Sequence, residues 1–332
     1  MKILFYSAGH FEKHWFTEAC KCPYRIRFER SLLDASTAAK AKGYEIISIG
    51  PADDASSPVI EQLKQGGVRF IALRASGADN VDLRAAASHS IQVSNVPEYS
   101  PYSVAEHAVA LMLALNRQLV HAHEHMRQHD YQLDQLVGFD LHRKTVGVIG
   151  TGRTGSILAK IMHGFGCEVL AYDINPDRGL TEKYDVQYVP LQTLCSASDI
   201  ISIHVPYGIN TKHMISAPLI ETMKRGVMII NIAHGGIVNT ADVVKYLENG
   251  HIGYFGMDGY EREREQFYHI ARRKRPGDPL LEKLLAFDNV LVTPHQAFAT
   301  KEALLNIAAT TLMNIDSWVN HVRSGHELNG RP

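Results

Sequence analysis

Ten short apolar runs punctuate the chain: KILFYS, YEIISIG, VRFIALR, IQVSNV, TVGVIG, EVLAYD, IISIHVP, VMIINIA, GYFGMD and NVLVTPH. Each predicts a strand, and helical patterns fill the intervals. Between TVGVIG and EVLAYD, residues Ile157, Leu158, Ile161, Met162 and Phe165 mark one face at a period of 3.6. Strand and helix alternating in this way argue for parallel sheets with helices on both faces. Pro97 and Pro101 close the fourth run, and a long apolar helix is expected from Ser103. Four of the runs precede this break and six follow it. The segment from Lys301 is helical in pattern and has no strand left to serve, so it is expected to return to the first domain. The expected division is residues 1–100 plus 299–332, and residues 101–298.

Composition narrows the picture. A chain of 332 residues suggests about two domains. With 45% hydrophobic and 21% charged residues, the core can be large without disulfides or a metal. Lys+Arg 34 against Asp+Glu 35 leaves a net charge of -1, so nothing electrostatic points to nucleic acid or an anionic membrane. RRKR at Arg272–Arg275 reads as a solvated loop. Cys20, Cys22, Cys167 and Cys195 fit neither a zinc site nor a Cys-x-x-Cys redox pair. The apolar N-terminal run is too short for a signal peptide. No apolar segment approaches the ~20 residues of a membrane span. A reduced, cytoplasmic protein is expected. In HAHEHMRQH, a helix would put His121, His125 and His129 on one face. A solvated surface is preferred there to a metal site.

Chemistry gathers where the apolar runs stop. Gly150, Asp173, His204, His234, Asp258 and His295 all lie at strand exits of the second domain. Open parallel sheets bind ligands outside the carboxyl ends of their strands. Gly150, Gly152 and Gly155 make G-x-G-x-x-G after one strand and at the start of a helix. The first glycine permits a tight turn, the second lets backbone approach a pyrophosphate, and the third lets helix pack on strand. The helix N-terminus offers N–H groups to phosphates. Asp173 ends the next strand, where it can accept from an adenosine ribose and repel a 2′-phosphate. This favours NAD, and nearby Arg178 leaves room for some use of NADP.

These motifs occur in an order that resembles the D-2-hydroxyacid dehydrogenases, most closely their fermentative D-lactate dehydrogenase branch. RASGADNVDL (Arg74–Leu83) looks like that family's substrate loop. VPEYSPYSVAEHAVALMLALNR (Val96–Arg117) looks like its interdomain helix, and TVGVIGTGRTG is its dinucleotide loop. HVP (His204–Pro206), GMDGYERERE (Gly256–Glu265) and TPHQAFAT (Thr293–Thr300) look like its cofactor, acid and catalytic-histidine segments. The resemblance implies two flavodoxin/Rossmann-like doubly wound domains with an active cleft between them, the first built from both chain ends. It implies NAD(H), a homodimer, and reversible reduction of a 2-oxo acid, with pyruvate and D-lactate as the expected pair.

Residue roles follow from the same resemblance. Hydride reduction of a ketone needs a proton for the carbonyl oxygen, and histidine is the natural donor near neutral pH. That donor is His295, with Glu263 behind it to orient the ring and favour its protonated form. Glu261 and Glu265 lie two residues either side, and only the register of the match picks Glu263. Asp258 is expected near the nicotinamide, with an N-cap or turn acid as its bland alternative. Arg153, Thr154, Val205, Pro206, Thr211, Ile232 and Ala233 are expected along the cofactor. Backbone N–H groups of Ser76 and Gly77 would hold the substrate carboxylate, with Tyr99 closing over it. A turn that needs glycine would explain Gly77 equally well.

One position departs from the pattern. NIAHGGIVN carries His234 where the family has an arginine that forks onto the carboxylate. Arginine is always charged and offers a planar fork, whereas an ordinary histidine is cationic in only a minority of molecules at neutral pH. DGYE also carries Gly259 where a β-branched residue is common. Three readings follow: a working dehydrogenase with imidazolium in place of guanidinium, a shift to a bulkier 2-oxo acid, or a redox sensor with little turnover.

Overall fold

The computed structural model describes residues 1–19, 24–263 and 277–330, except for the side chains of residues 10 and 11. Cys20, Cys22, Glu265 and the Arg272–Arg275 cluster lie outside the described residues. The chain divides into two compact units, Met1–Ser100 with Phe298–Pro332, and Pro101–Ala297. Each is a doubly wound α/β sheet in which every strand pair is parallel.

The first unit holds β1 (Lys2–Phe5), α1 (His10–Ala19), β2 (Arg25–Phe28), β3 (Ile46–Ile49), α2 (Ser57–Gln65), β4 (Phe70–Leu73), α3 (Leu83–Ser88) and β5 (Gln92–Ser94). Its strand order is β2-β1-β3-β4-β5, the flavodoxin-like arrangement. Alternate strand residues serve opposite faces. Leu4, Ile47, Ile49, Ile71 and Leu73 meet Val59, Ile60 and Leu63 of α2. Ile3, Phe5, Ile46 and Phe70 meet Ile307, Ala308, Leu312 and Ile315 of the C-terminal helix Lys301–Val319. The last turn of that helix stacks Trp318 on Phe70, ring centroids 5.4 Å apart.

The second unit opens with α4 (Pro101–Asn116) and α5 (Leu119–Arg127). It continues through β6 (Thr145–Ile149), α6 (Arg153–Gly164), β7 (Glu168–Tyr172), α7 (Arg178–Tyr184), β8 (Gln187–Tyr188), α8 (Leu191–Ala197) and β9 (Ile200–Ile203). It closes with α9 (Ala217–Ile220), β10 (Val227–Asn231), α10 (Thr240–Glu248), β11 (Ile252–Met257), the helix Pro279–Leu285 and β12 (Val290–Val292). The order β12-β11-β10-β9-β6-β7-β8 reverses direction between β6 and β9, which pair from Val146–Ile200 to Ile149–Ile203. This is the switch point at which open sheets bind ligands. Ala105, Ala108, Leu111 and Met112 of α4 cover one face together with Leu158 and Met162 of α6. Leu194 of α8 and Val243 and Leu247 of α10 cover the other.

The apolar runs missed two strands, so the described sheets hold five and seven rather than four and six. Both, β2 and β8, are edge strands. Arg25–Phe28 alternates exposed and half-buried positions, and Gln187–Tyr188 is two residues long. An edge strand need not be apolar on both faces, so no continuous run announces it. Pro101 opens α4 instead of closing a strand, in keeping with proline's tolerance in a first helical turn. His129 lies beyond α5 with φ 59°, so the three-histidine face ends at His125. Among the described residues no group of three or more His, Cys, Asp or Glu could hold a metal, and no helix is long and apolar enough to cross a membrane.

Candidate active site

The loop after β6 is built for close approach. Gly150 has φ 93°, and a Cβ there would lie 2.9 Å from the carbonyl of His204. A Cβ on Gly155 would overlap the Gly150 carbonyl oxygen, so α6 packs tightly under the turn. Gly152 caps α6 without a side-chain hydrogen bond and has open space where its Cβ would be. Arg153 and Thr154 form the first turn, whose N–H groups face outward from the helix. Asp173, just past β7, accepts from the Thr151 N–H at 2.6 Å and from the Asn175 N–H at 2.8 Å. It therefore ties the loop to the neighbouring strand.

Across the switch point, His204 follows β9. Its Nε2 pairs with the Ser202 hydroxyl at 2.8 Å, and its Nδ1 is buried without a partner. Burial pushes this imidazole down to about 3, so the ring is neutral. Val205 and Pro206 continue from it, and the Thr211 hydroxyl donates back to the Pro206 carbonyl at 2.7 Å. Thr211 thus shapes the loop, and its hydroxyl proton is committed there. Two glycines that admit no Cβ, a helix N-terminus without a side-chain cap and an orphaned buried nitrogen beside it together fit a dinucleotide.

His295 follows β12 in a left-handed conformation, φ 54°, which is costly for a residue with a Cβ. Two bonds hold it there, from its N–H to the carbonyls of Asp258 (2.7 Å) and Thr293 (2.9 Å). Its ring Nδ1 lies 3.0 and 3.1 Å from the two oxygens of Glu263. Burial pulls the ring toward neutrality. The hydrogen bond to Glu263, the charge of Glu263 and the charge of Asp258 outweigh it, so His295 is raised above the ordinary histidine value. Glu261 is spent elsewhere, on His213 at 2.6 Å and the Thr240 hydroxyl at 2.9 Å.

Asp258, at the end of β11, is only 2% exposed. One of its oxygens accepts from the Thr293 hydroxyl (2.6 Å) and the Gln296 N–H (2.8 Å), and the other from the Ala297 N–H (2.8 Å). Burial raises its pKa, but bonds from His107, Thr293, Ala297 and Gln296 overcome that, and the carboxyl is held below its usual range. The geometry makes Asp258 the organiser of the His295 turn, closer to the turn acid than to a free nicotinamide partner. His107 of α4 lies 3.1 Å from the Thr293 hydroxyl and 3.4 Å from Asp258. Sequence reasoning missed it, although a lone imidazole inside an apolar helix was the available signal.

His234 lies past β10, where Ala233 N–H donates to the Asn231 side chain at 3.2 Å and Ile232 packs on the core. The bend is not exposed: Gly235 and Gly236 are buried and His234 half-buried. A Cβ on Gly235 would overlap the Tyr260–Glu261 peptide. His234 Nδ1 accepts from the Gly236 N–H at 3.0 Å, and the ring stacks on Tyr207 with centroids 4.3 Å apart. In this geometry Nδ1 is an acceptor, which leaves Nε2 as the ring's donor.

The second unit therefore brings together His295, Glu263, Asp258 and His107, and separately the glycine loop, Asp173 and His204. Ser76, Gly77 and Tyr99 belong to the first unit. Ser76 follows β4, and its carbonyl accepts from Asn95 at 2.7 Å. Gly77 has ordinary φ and only a 3.5 Å neighbour for a Cβ, so no turn demands glycine there. The Tyr99 carbonyl accepts from Asn306 at 2.7 Å, and its ring meets Phe298 edge-on.

Residues 109–297 match the model of the D-isomer specific 2-hydroxyacid dehydrogenase, NAD binding domain. The chain belongs to this family. It is 41% identical over 322 residues to 2-hydroxyacid dehydrogenase homolog 1 of Schizosaccharomyces pombe, covering 96% of this chain and 97% of that one. It is 40% identical over 318 residues to the D-lactate dehydrogenase of Escherichia coli, covering 96% of each. A solved structure described as the pyruvate reductase of Chlamydomonas reinhardtii superposes with a TM-score of 0.93 at 41% identity, covering 98% of each chain. As a member of this family, the protein is an NAD-dependent 2-hydroxyacid oxidoreductase with an NAD-binding domain.

Within this dehydrogenase, the raised His295 yields a signed prediction. If its protonated ring drives reduction, kcat/KM for reduction holds at low pH and falls as pH climbs above the ordinary histidine range. In Glu263→Gln the Glu263 charge is gone and only Asp258 still opposes burial, so the falling limb moves to lower pH. Unchanged profiles in stopped-flow NADH oxidation would separate Glu263 from proton transfer.

Proposed function

We propose that the protein reversibly reduces pyruvate to D-lactate, with His295 as proton donor in reduction and acceptor in oxidation. The His295–Glu263 pair carries this reading. Glu263 holds the proton on Nδ1, so the proton exchanged with the substrate oxygen is the one on Nε2. Bound NADH supplies the hydride for the carbonyl carbon. Gly150, Gly152, Arg153, Thr154, Gly155 and the segment from His204 to Pro206 hold the dinucleotide, with Asp173 favouring NAD over NADP. The backbone of Ser76 and Gly77, with Tyr99, holds the substrate carboxylate, and His234 gives it one further donor. The names of the bacterial and algal relatives, a D-lactate dehydrogenase and a pyruvate reductase, support pyruvate.

His234 favours a second reading, a larger 2-oxo acid, because an imidazole is shorter than a guanidinium. A sensor without turnover is disfavoured by the intact His295–Glu263 geometry. The deciding experiment is NADH oxidation with pyruvate, phenylpyruvate, 2-oxoisocaproate, glyoxylate and hydroxypyruvate. Pyruvate as the best substrate supports the first reading, and a bulky acid as the best supports the second. NADH binding with no turnover on any leaves the sensor.

The homodimer is a proposal with its own support. Leu119, Val120 and Met126 of α5 and Tyr131, Leu133 and Val137 beyond it are all exposed, more apolar surface than a short segment ordinarily leaves to water. Paired Leu119→Lys and Met126→Lys substitutions are expected to shift the mass in light scattering from dimer to monomer. A mass equal to native would place the interface elsewhere.

A further inference from the structure

Asn95 follows β5, the edge of the first sheet, and is 6% exposed. Its side-chain amide donates to the Ser76 carbonyl at 2.7 Å. Ser76 and Gly77 themselves are exposed, and among the described residues neither N–H donates a hydrogen bond. The loop they form is gripped at both ends. The Val96 N–H donates to the Ala75 carbonyl at 3.1 Å, and buried Asn80 donates to the Gly50 and Asp53 carbonyls at 2.9 Å. Both backbone groups of Asn95 are bonded in turn to the far end of the chain. Its N–H donates to the His326 carbonyl at 3.2 Å, and its carbonyl accepts from the Asn314 side chain at 2.7 Å. A carbonyl only accepts, so the Asn314 amide nitrogen must face Asn95, and its oxygen accepts from His326 Nδ1 at 3.0 Å. Beyond His326 the tail runs antiparallel to β5, with Glu327 bridged to Ser94 and the Leu328 N–H on the Val93 carbonyl at 2.9 Å.

We propose that Asn95 is a positioning residue for the substrate, held in place by Asn314 and His326, so that the C-terminal segment sets the affinity for the 2-oxo acid. The inference rests on the reading of the Ser76 and Gly77 N–H groups as the holders of the substrate carboxylate. The planar peptide that carries the Ser76 carbonyl also carries the Gly77 N–H, on its opposite side. Anchoring the carbonyl on Asn95 therefore aims the N–H. A bond donated to that carbonyl also polarises its peptide, which makes the Gly77 N–H a stronger donor toward an anion. Asn95 acts through this one peptide plane. The effect falls on binding of the acid, because the proton donor and the dinucleotide loop belong to the second unit.

The test measures kcat and KM for pyruvate, NADH affinity and amide hydrogen exchange in native, Asn95→Ala, His326→Ala and His326→Asn proteins. Asn95→Ala removes one hydrogen bond and is expected to raise KM about 5- to 10-fold, with kcat within about threefold and NADH affinity near native. His326→Ala, one step further back, is expected to raise KM about two- to fivefold. His326→Asn is expected to stay within about twofold of native, because its amide offers an N–H where Nδ1 stands. Should Asn95→Ala fail to fold, the His326 pair carries the same comparison. Without substrate, the Val81 and Val96 N–H groups, which donate to the Ala78 and Ala75 carbonyls, are expected to exchange faster in both alanine variants. A native KM in both alanine variants, or a loss confined to kcat, overturns the inference and leaves the parent reading standing. No turnover of any 2-oxo acid by the native protein counts against the parent reading, and native exchange rates in the alanine variants then still overturn the inference.

Discussion

Replacing His295 with asparagine is expected to lower kcat for 2-oxo acid reduction by about 10²- to 10⁴-fold, the range a positioned proton donor supplies. Asparagine is chosen because the backbone there is left-handed, φ 54°, and asparagine tolerates that region better than most residues. The Asp258 carbonyl and carboxylate bond to backbone N–H groups of residues 295 to 297, so the turn should survive the substitution. Melting temperature and NADH affinity by fluorescence titration should therefore stay close to native. A loss below about tenfold would remove His295 from the chemistry.

Gly155→Ala is expected to weaken NADH binding by about 10- to 100-fold and to lower the melting temperature. The new Cβ would overlap the Gly150 carbonyl, and backbone has no flexible end that can swing aside. Overpacking of this kind costs about 1–3 kcal/mol. The loop that would cradle the pyrophosphate has to move to relieve it. Gly152→Ala is the matched control, because nothing lies within 4 Å of its Cβ. It should keep the native melting temperature and lose affinity only through crowding of the phosphates. Equal melting losses in both, or native NADH affinity in Gly155→Ala, would refute the cradle.

Strands buried on both faces were legible in the sequence because such strands must be apolar throughout. The polar residues that end them were legible for the complementary reason: Gly150, Asp173, His204 and His295 interrupt runs that nothing else interrupts. Edge strands escaped, since Arg25–Phe28 needs an apolar surface only in part. The choice between Glu261 and Glu263 also escaped any pattern. The two differ in what they face, His213 and Thr240 for one and His295 for the other, and those partners come from distant parts of the chain. The same holds for His107, which reaches Thr293 across 186 positions. At His234 the residue type left both ring nitrogens open, and one backbone N–H makes Nδ1 the acceptor. Tautomers are set by partners, and a sequence names the ring without naming them.

The C-terminal helix has a consequence for how the protein is made. Ile307, Leu312 and Ile315 cover a sheet face whose strands all lie before residue 95, and the whole second unit is synthesised in between. The second unit is continuous and can fold as it leaves the ribosome, whereas the first must wait with one apolar face uncovered. Ribosome-bound chains halted after Ala297 and emerged in full are expected to show a protease-resistant second unit and a protease-sensitive first. Equal resistance of the two would overturn this order of assembly. Until the last helix arrives, the nascent chain carries an aggregation hazard that the finished protein does not.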